Sequence, residues 1–359
     1  MRVLMTADTV GGVWTYALEL ADALAAHDVE VVLATMGAPL SPAQRAELRG
    51  SQIARAYAES LKLEWMDDPW RDVDRAGRWL LEIRDEVEPD VVHLNGYAHG
   101  TLPWELPLLV AGHSCVLSWH AAVRGEEAPP TWIRYAERVA AGTAAADLIV
   151  APTRAMLREL ERHYGLSGAR AVIPNGRRSA GVVRTNEPFV FTAGRLWDDA
   201  KNVAALDRVA PRLPWPVALA GELSPDRRSE HARALGRLDR RAVDEWLARA
   251  SIFALPARYE PFGLAALEAA LAGCALVLGD ITSLREVWGD AALFVDPEDD
   301  EALAATLTLL IERPGLRDEL AARAAERARR YTPERMGAAY AEAYHRVASS
   351  APHRAEAAA

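Results

Sequence analysis

Cysteine is scarce in this sequence: Cys115 and Cys274 are the only two in 359 residues. Both sit in apolar runs, which excludes a disulfide framework and points to buried, reduced thiols. Long hydrophobic runs are absent too. No stretch reaches the roughly 18 uninterrupted apolar residues of a membrane span. The opening MRVLMTADT has neither the long apolar core nor the small-residue cleavage site of a signal peptide. A cytoplasmic protein without a strong membrane signal is therefore expected. Basic residues are not in excess: 41 Lys and Arg face 51 Asp and Glu, for a net charge of −10. That argues against nucleic acid as a partner. Cys and His do not cluster at zinc spacing. No D-x-D stands between strands, and no metal site is expected.

What is present is a long alternation of strand and helix patterns. Half the residues are hydrophobic, enough for two cores in domains of about 150–200 residues. Residues 2–7 read as a strand, Thr9–Val13 as a glycine turn and Trp14–His27 as a helix. Val29–Ala34 reads as a second strand. Gly11-Gly12 is not G-x-G-x-x-G, and Thr35 rather than an acidic residue ends the second strand. A dinucleotide site is therefore not expected. Short helices are expected at Gln44–Arg49 and Ile53–Leu61, and a longer one at Val73–Val87. Strands follow at Asp90–Leu94, at Cys115–Trp119 (ending in His120), at Leu148–Val150 and at Ala171–Ile173. Helices are expected at Trp132–Ala145 and, capped by Thr153, up to Tyr164.

Residues 176–188 are rich in breakers and read as a linker. A second series then runs from the strand Phe189–Ala193 through the helix Asn202–Arg212, the strand Val217–Ala220 and the helix Ala242–Ala250. The strand Ser251–Pro256, a turn, a helix from Leu264, the strand Cys274–Leu278, a helix from Thr282 and the strand Ala292–Val295 follow. Helices at Ala302–Ile311, Leu316–Arg329 and Pro333–Val347 close the chain, and Ser349–Ala359 reads as a frayed tail.

Two stretches carry chemistry. The first is RYEPFGLAALEAALAG, residues 258–273. It leaves the carboxyl end of an apolar strand, where open parallel sheets bind ligands. Gly263 allows close backbone approach, and the helix start that follows suits an anion. Glu260 at the loop edge and Glu268 farther along the helix can each accept from sugar or ribose hydroxyls. The same residues also suit an ordinary strand–helix turn with a surface glutamate. The second stretch is Gly194-Arg195-Leu196 with Lys201-Asn202. An Arg after a strand, and a Lys six residues later, outline a diphosphate clamp. Fixed cations aimed at developing charge are commonly the largest catalytic term.

E-P-F-G-L-x-x-L-E resembles the E-x7-E motif of the family 4 glycosyltransferases, retaining enzymes of GT-B fold. G-R-L with K-N resembles that family's diphosphate-binding motif. The resemblance extends over most of residues 1–348. It implies an α/β chain of two Rossmann-like parallel-sheet domains facing across a cleft. An N-terminal acceptor-side domain would span 1–178 and a donor domain 179–331. A crossover helix, 332–348, would return to the first domain, leaving 349–359 as tail.

The implied activity is metal-independent transfer of a sugar from a nucleotide-diphosphate sugar to a hydroxyl of a saccharide or small molecule. That donor, linked to UDP, GDP, ADP or dTDP, is the only co-substrate implied, with no cofactor. By resemblance the catalytic set is Arg195, Lys201, Glu260 and His120. Gly11, Gly12, Gly194, Gly236, Arg237, Leu238, Phe262, Gly263, Leu264 and Glu268 would bind the donor. Ser283 and Glu286 resemble a turn near the last donor loop. Trp14, Asn95, Tyr97 and His99 are candidates for an acceptor pocket. The chain departs from the family at Asn175-Gly176-Arg177-Arg178, where Asn-Gly-(Val/Ile)-Asp is common. Basic and acidic residues are mixed in Gln44–Glu64, which points to a soluble acceptor. Two other readings remain open: another reaction on the same fold, such as an epimerase or phosphorylase, and a non-catalytic nucleotide-sugar binder.

Overall fold

Strands buried along their whole length, such as Val91–Leu94 and Ala250–Leu255, are the mark of parallel sheets covered on both faces. The computed structural model describes residues 1–224 and 228–350, and it contains two such sheets. In the first part of the chain β1 (Arg2–Asp8) leads into α1 (Gly12–Leu24), β2 (Glu30–Met36), α2 (Pro42–Arg49) and β3 (Ile53–Glu59). Then come α3 (Trp70–Val87), β4 (Val91–Leu94), β5 (Leu108–Ala111), α4 (Val116–Arg124), α5 (Ile133–Ala145), β6 (Leu148–Ala151), α6 (Arg154–Tyr164) and β7 (Ala169–Val172). The strand order is β3-β2-β1-β4-β5-β6-β7, parallel throughout.

The second sheet begins at β8 (Glu187–Ala193) and continues with α7 (Val203–Val209), β9 (Val217–Ala220), β10 (Arg233–Gly236), α8 (Arg240–Arg249) and β11 (Ala250–Leu255). It ends with α9 (Leu264–Leu271), β12 (Ala275–Gly279), α10 (Thr282–Trp288), β13 (Leu293–Val295), α11 (Asp300–Glu312) and α12 (Pro314–Ala328). Its order is β10-β9-β8-β11-β12-β13. The last helix is α13 (Pro333–Ser350). Of the expected tail, Ser349 and Ser350 belong to this helix and residues 351–359 lie outside the described residues.

The chain divides into two compact units. Met1–Ala121, Glu126–Gly176 and the segment from Pro333 form one; Ala122–Gly125 and Arg177–Thr332 form the other. Alternation along each strand feeds two cores per unit. In β1, Leu4 joins Val32, Val92 and Val110 under α3, α5 and α6. Val3 and Met5 join Tyr16, Leu20, Tyr340 and Tyr344 under α1 and α13. Each fully buried apolar side chain of this kind contributes about 1.5–3 kcal/mol. Gly337 lets α13 lie close to α1, since an added Cβ would stand 2.7 Å from that of Ala23. His93 Nδ1 is 2.7 Å from the Tyr344 hydroxyl, and its ring stacks on Tyr340. In the second unit Phe191, Phe253 and Leu276 face α8–α10, while Val190, Ile252 and Val277 face α7 and α11.

Three expectations fail. Ile53–Leu61 is not a helix: Ile53–Glu59 is the edge strand β3, paired with β2. Cys115–Trp119 is not a strand. The strand is Leu108–Ala111, and the Trp119 amide donates to the Cys115 carbonyl at 3.1 Å as α4 begins. His120 therefore sits inside a helix, not at a strand end. The short strand β10, Arg233–Gly236, was not anticipated.

Candidate functional site

Two loops meet in the second unit, at the carboxyl ends of β8 and β11. After β8, Gly194 takes φ 151° and its amide donates to the Ala220 carbonyl. Only a glycine fits opposite it: a Cβ on Gly221 would lie 2.0 Å from the Gly194 carbonyl oxygen. The chain then makes a 3-10 turn, Asp199–Lys201, capped by Asp198, whose carboxylate accepts from the Ala200 amide. Asp198 is buried and pairs with Arg195 at 3.2 Å. The expected helix start at Asn202 is also displaced. Asn202 is left-handed, φ 52°, and α7 starts at Val203. Its side-chain Nδ2 donates to the carbonyls of Pro256 (3.1 Å) and Pro297 (2.7 Å). The left-handed backbone favours an Asn at the position after Lys201.

After β11, the Arg258 amide donates to the Ala200 carbonyl at 2.8 Å, joining the two loops. Lys201 and Glu260 form an ion pair across the join. The other Glu260 oxygen accepts from the Gly263 amide at 2.9 Å. Gly263 takes φ 91°, which a side chain disfavours, and opens α9. Ser283, at the start of α10, donates to the Glu260 carbonyl at 2.6 Å. Burial pushes the Glu260 carboxyl up, but Lys201, its hydrogen bond and Arg195 outweigh that and hold it below the usual range. The site therefore presents Arg195 and Lys201 around an ionised, fixed carboxylate.

Glu268 lies in the second turn of α9. Arg177 Nε and Arg240 Nη1 stand 2.9 and 2.8 Å from one of its oxygens. Burial raises this carboxyl to about 7 against the pull of Arg240, with Asp244 adding to the rise. A cavity of about 220 Å³ opens beside it, walled by residues 178–182, Arg184, α8 and the end of α9. The partners Arg177, Arg240 and Asp244 were not picked from the sequence. For Arg177 the departure from Asn-Gly-(Val/Ile)-Asp was a signal; Arg240 and Asp244 left none.

A family model described as Glycosyltransferase Family 4 matches residues 10–178, and one described as Glycosyl transferases group 1 matches residues 178–331. The chain belongs to glycosyltransferase family 4. This family 4 enzyme is 27% identical to a "D-inositol 3-phosphate glycosyltransferase" of Xylanimonas cellulosilytica, over 96% of this chain and 94% of that protein. It is also 27% identical to a "Glycogen synthase" of Mycobacterium tuberculosis, over 91% of this chain and 90% of that protein. Among solved structures, a sucrose-phosphate synthase from Thermosynechococcus elongatus superposes with TM-score 0.79 at 18% identity, covering 98% and 100% of the two chains. Anabaena Alr3699/HepE in complex with UDP-glucose gives TM-score 0.74 at 16% identity, covering 96% and 99%. The fold is GT-B: α/β, with two Rossmann-like parallel-sheet domains.

Other residues picked from the sequence are distributed less simply in this glycosyltransferase. Phe262 is buried, edge-on to Tyr331, so its side chain belongs to the core of the second unit. Leu264 packs against the core of its unit. Gly236 ends β10 at φ 69° and its carbonyl accepts from Gly221; Arg237 is exposed, and Leu238 packs on the core. In the first unit Gly11, φ 97°, and Gly12 stand exposed at the start of α1. His120 lies in α4 beside the rings of Trp119 and Trp132.

The acceptor candidates make hydrogen bonds within the first unit, and all but the half-buried Asn95 are buried. The buried Tyr97 donates its hydroxyl to Ser114, and buried His99 contacts the Val73 carbonyl. Asn95 ties Thr6 to His113, and the Trp14 indole donates to Glu47. Buried polar groups find partners inside the fold, and a polar cluster after a strand satisfies that need as readily as it lines a pocket.

Proposed function

We propose that the chain moves a sugar, with retention, from a nucleotide-diphosphate sugar to a hydroxyl of a saccharide or small polar acceptor. The observation that carries this reading is the convergence of Arg195, Lys201 and Glu260 at the carboxyl ends of β8 and β11. In this reading Arg195 and Lys201 hold the diphosphate, Glu260 meets the sugar and Glu268 the nucleotide. The anomeric C–O bond breaks and its electron pair goes to the leaving phosphate oxygen. The acceptor oxygen bonds to the same face of the anomeric carbon, and its proton passes to that phosphate oxygen. The two cations stabilise the charge that grows there, so no metal is needed.

The names of the relatives set the order of trial: UDP-glucose as donor, then an inositol phosphate or an α-glucan as acceptor. His120, Gly11 and Gly12 are proposed to serve the same reaction from the first unit. The acceptor is taken to be soluble, from the mixed basic and acidic residues of the stretch 44–64. A thermal-shift screen over UDP-, GDP-, ADP- and dTDP-sugars is expected to give one clear rise. Proton NMR should then show product with the donor's anomeric configuration, and EDTA should leave the rate unchanged. An inverted product, or loss of activity with EDTA, would refute the mechanism.

A further inference from the structure

The chain enters the second unit at Arg177 and leaves it after Thr332. These two places lie side by side, for the Arg177 amide donates to the Tyr331 carbonyl at 3.0 Å. Each then reaches one end of the segment that carries both glutamates. The Arg177 guanidinium, only 9% exposed, meets Glu268 at 2.9 Å. The Tyr331 ring meets Phe262 edge-on, centroids 5.5 Å apart at 87°, and its hydroxyl donates to the Val287 carbonyl at 3.0 Å. Burying a guanidinium is expensive, and an apolar side chain usually packs such a place at least as well. The neighbouring Arg178 stays exposed. An inward arginine at this joint therefore calls for a reason beyond packing.

We propose that Arg177 is a positioning residue for donor binding: anchored on Tyr331, it holds the Glu268 carboxylate aimed at the hydroxyls of the donor's nucleotide. The inference rests on the reading of Glu268 as a donor residue. The second cation at Glu268, Arg240, is shared with Asp244 at 3.2 Å. Arg178 and Arg184 line the cavity next to it. Without Arg177, the net pull toward ionisation weakens and burial gains ground. Glu268 then takes a proton at a higher pH, and an acceptor oxygen becomes a donor.

The test is calorimetric titration of UDP, GDP, ADP and dTDP into the full chain, followed by the tightest of these across pH 6–9. Arg177→Met should weaken binding at pH 7 by about tenfold and move the acid limit of binding up by about one unit. In a Glu268→Gln background the same change should add less than about twofold, because the two residues act as one. If Arg177→Met does not fold, Arg177→Lys decides. It keeps the charge but not the planar guanidinium's shape, so binding should fall several-fold with the acid limit unmoved. Wild-type affinity and acid limit in Arg177→Met, or equal weakening in both backgrounds, would overturn the inference; for Arg177→Lys, unchanged affinity or a shifted acid limit would do so. Wild-type affinity in Glu268→Gln alone, or no binding of any of the four diphosphates, would instead overturn the reading beneath it.

Discussion

Lys201 and Glu260 are fifty-nine residues apart in the chain, yet their side chains are paired with only 16% and 13% of their surface exposed. Removing the cation leaves a buried carboxylate without its nearest partner. Lys201→Ala is expected to lower turnover on the order of 10²-fold and stability by about 3–5 kcal/mol. Steady-state rates at saturating donor and urea unfolding read the two effects separately. An unchanged turnover would remove Lys201 from the chemistry.

Asn202 holds its place by two devices, a left-handed backbone and an amide bonded to Pro256 and Pro297. Asn202→Gly keeps the first and loses the second, at about 1–3 kcal/mol. Asn202→Ala loses both and adds about 1–2 kcal/mol of backbone strain. The order of denaturation midpoints should be wild type, then Gly, then Ala. The reverse order of the two variants would contradict this account.

Gly221 has no room for a side chain, because the Gly194 carbonyl stands where a Cβ would go. Gly221→Ala should cost about 1–3 kcal/mol or more and displace Gly194-Arg195, weakening nucleotide binding. Gly315→Ala is the control. Nothing lies within 4 Å of its added carbon, and in α12 it should raise stability by about 0.5–1 kcal/mol. Thermal melting of both variants checks the contrast.

Burial lowers His93 to about 3 and His113 to about 4. In the unfolded chain both titrate near 6.5. Below that value the unfolded state binds more protons, so their contribution to stability is complete above about pH 6.5 and is lost as pH falls toward 3–4. Urea unfolding between pH 7 and 4 should show the first unit weakening with acid. His93→Gln should flatten that slope; an equally steep slope would assign the acid sensitivity to other groups.

The alternation of strand and helix was legible because each element carries its own period. The Glu260–Glu268 stretch was legible because the loop and helix bearing it are continuous in sequence. Ile53–Glu59 was not: on a sheet edge its side chains are mostly half-exposed or exposed, and no clean period of two survives. Cys115–Trp119 has the composition of a strand, yet tertiary packing made it helical and gave the strand to Leu108–Ala111. Tyr97 and His99 looked available because sequence does not reveal burial. The pairing of Arg177 with Glu268 is set by the fold alone, and only an unusual residue after Asn175-Gly176 hinted at it.

The helix α13 completes the core under β1 and β4 with Tyr340 and Tyr344. During synthesis that core stays open until the final helix has left the ribosome. The second unit, made later, has all its strands and helices by Thr332 and can close first. The first unit thus matures only once α13 has docked, and a chain stopped before Pro333 exposes an apolar face that chaperones would recognise.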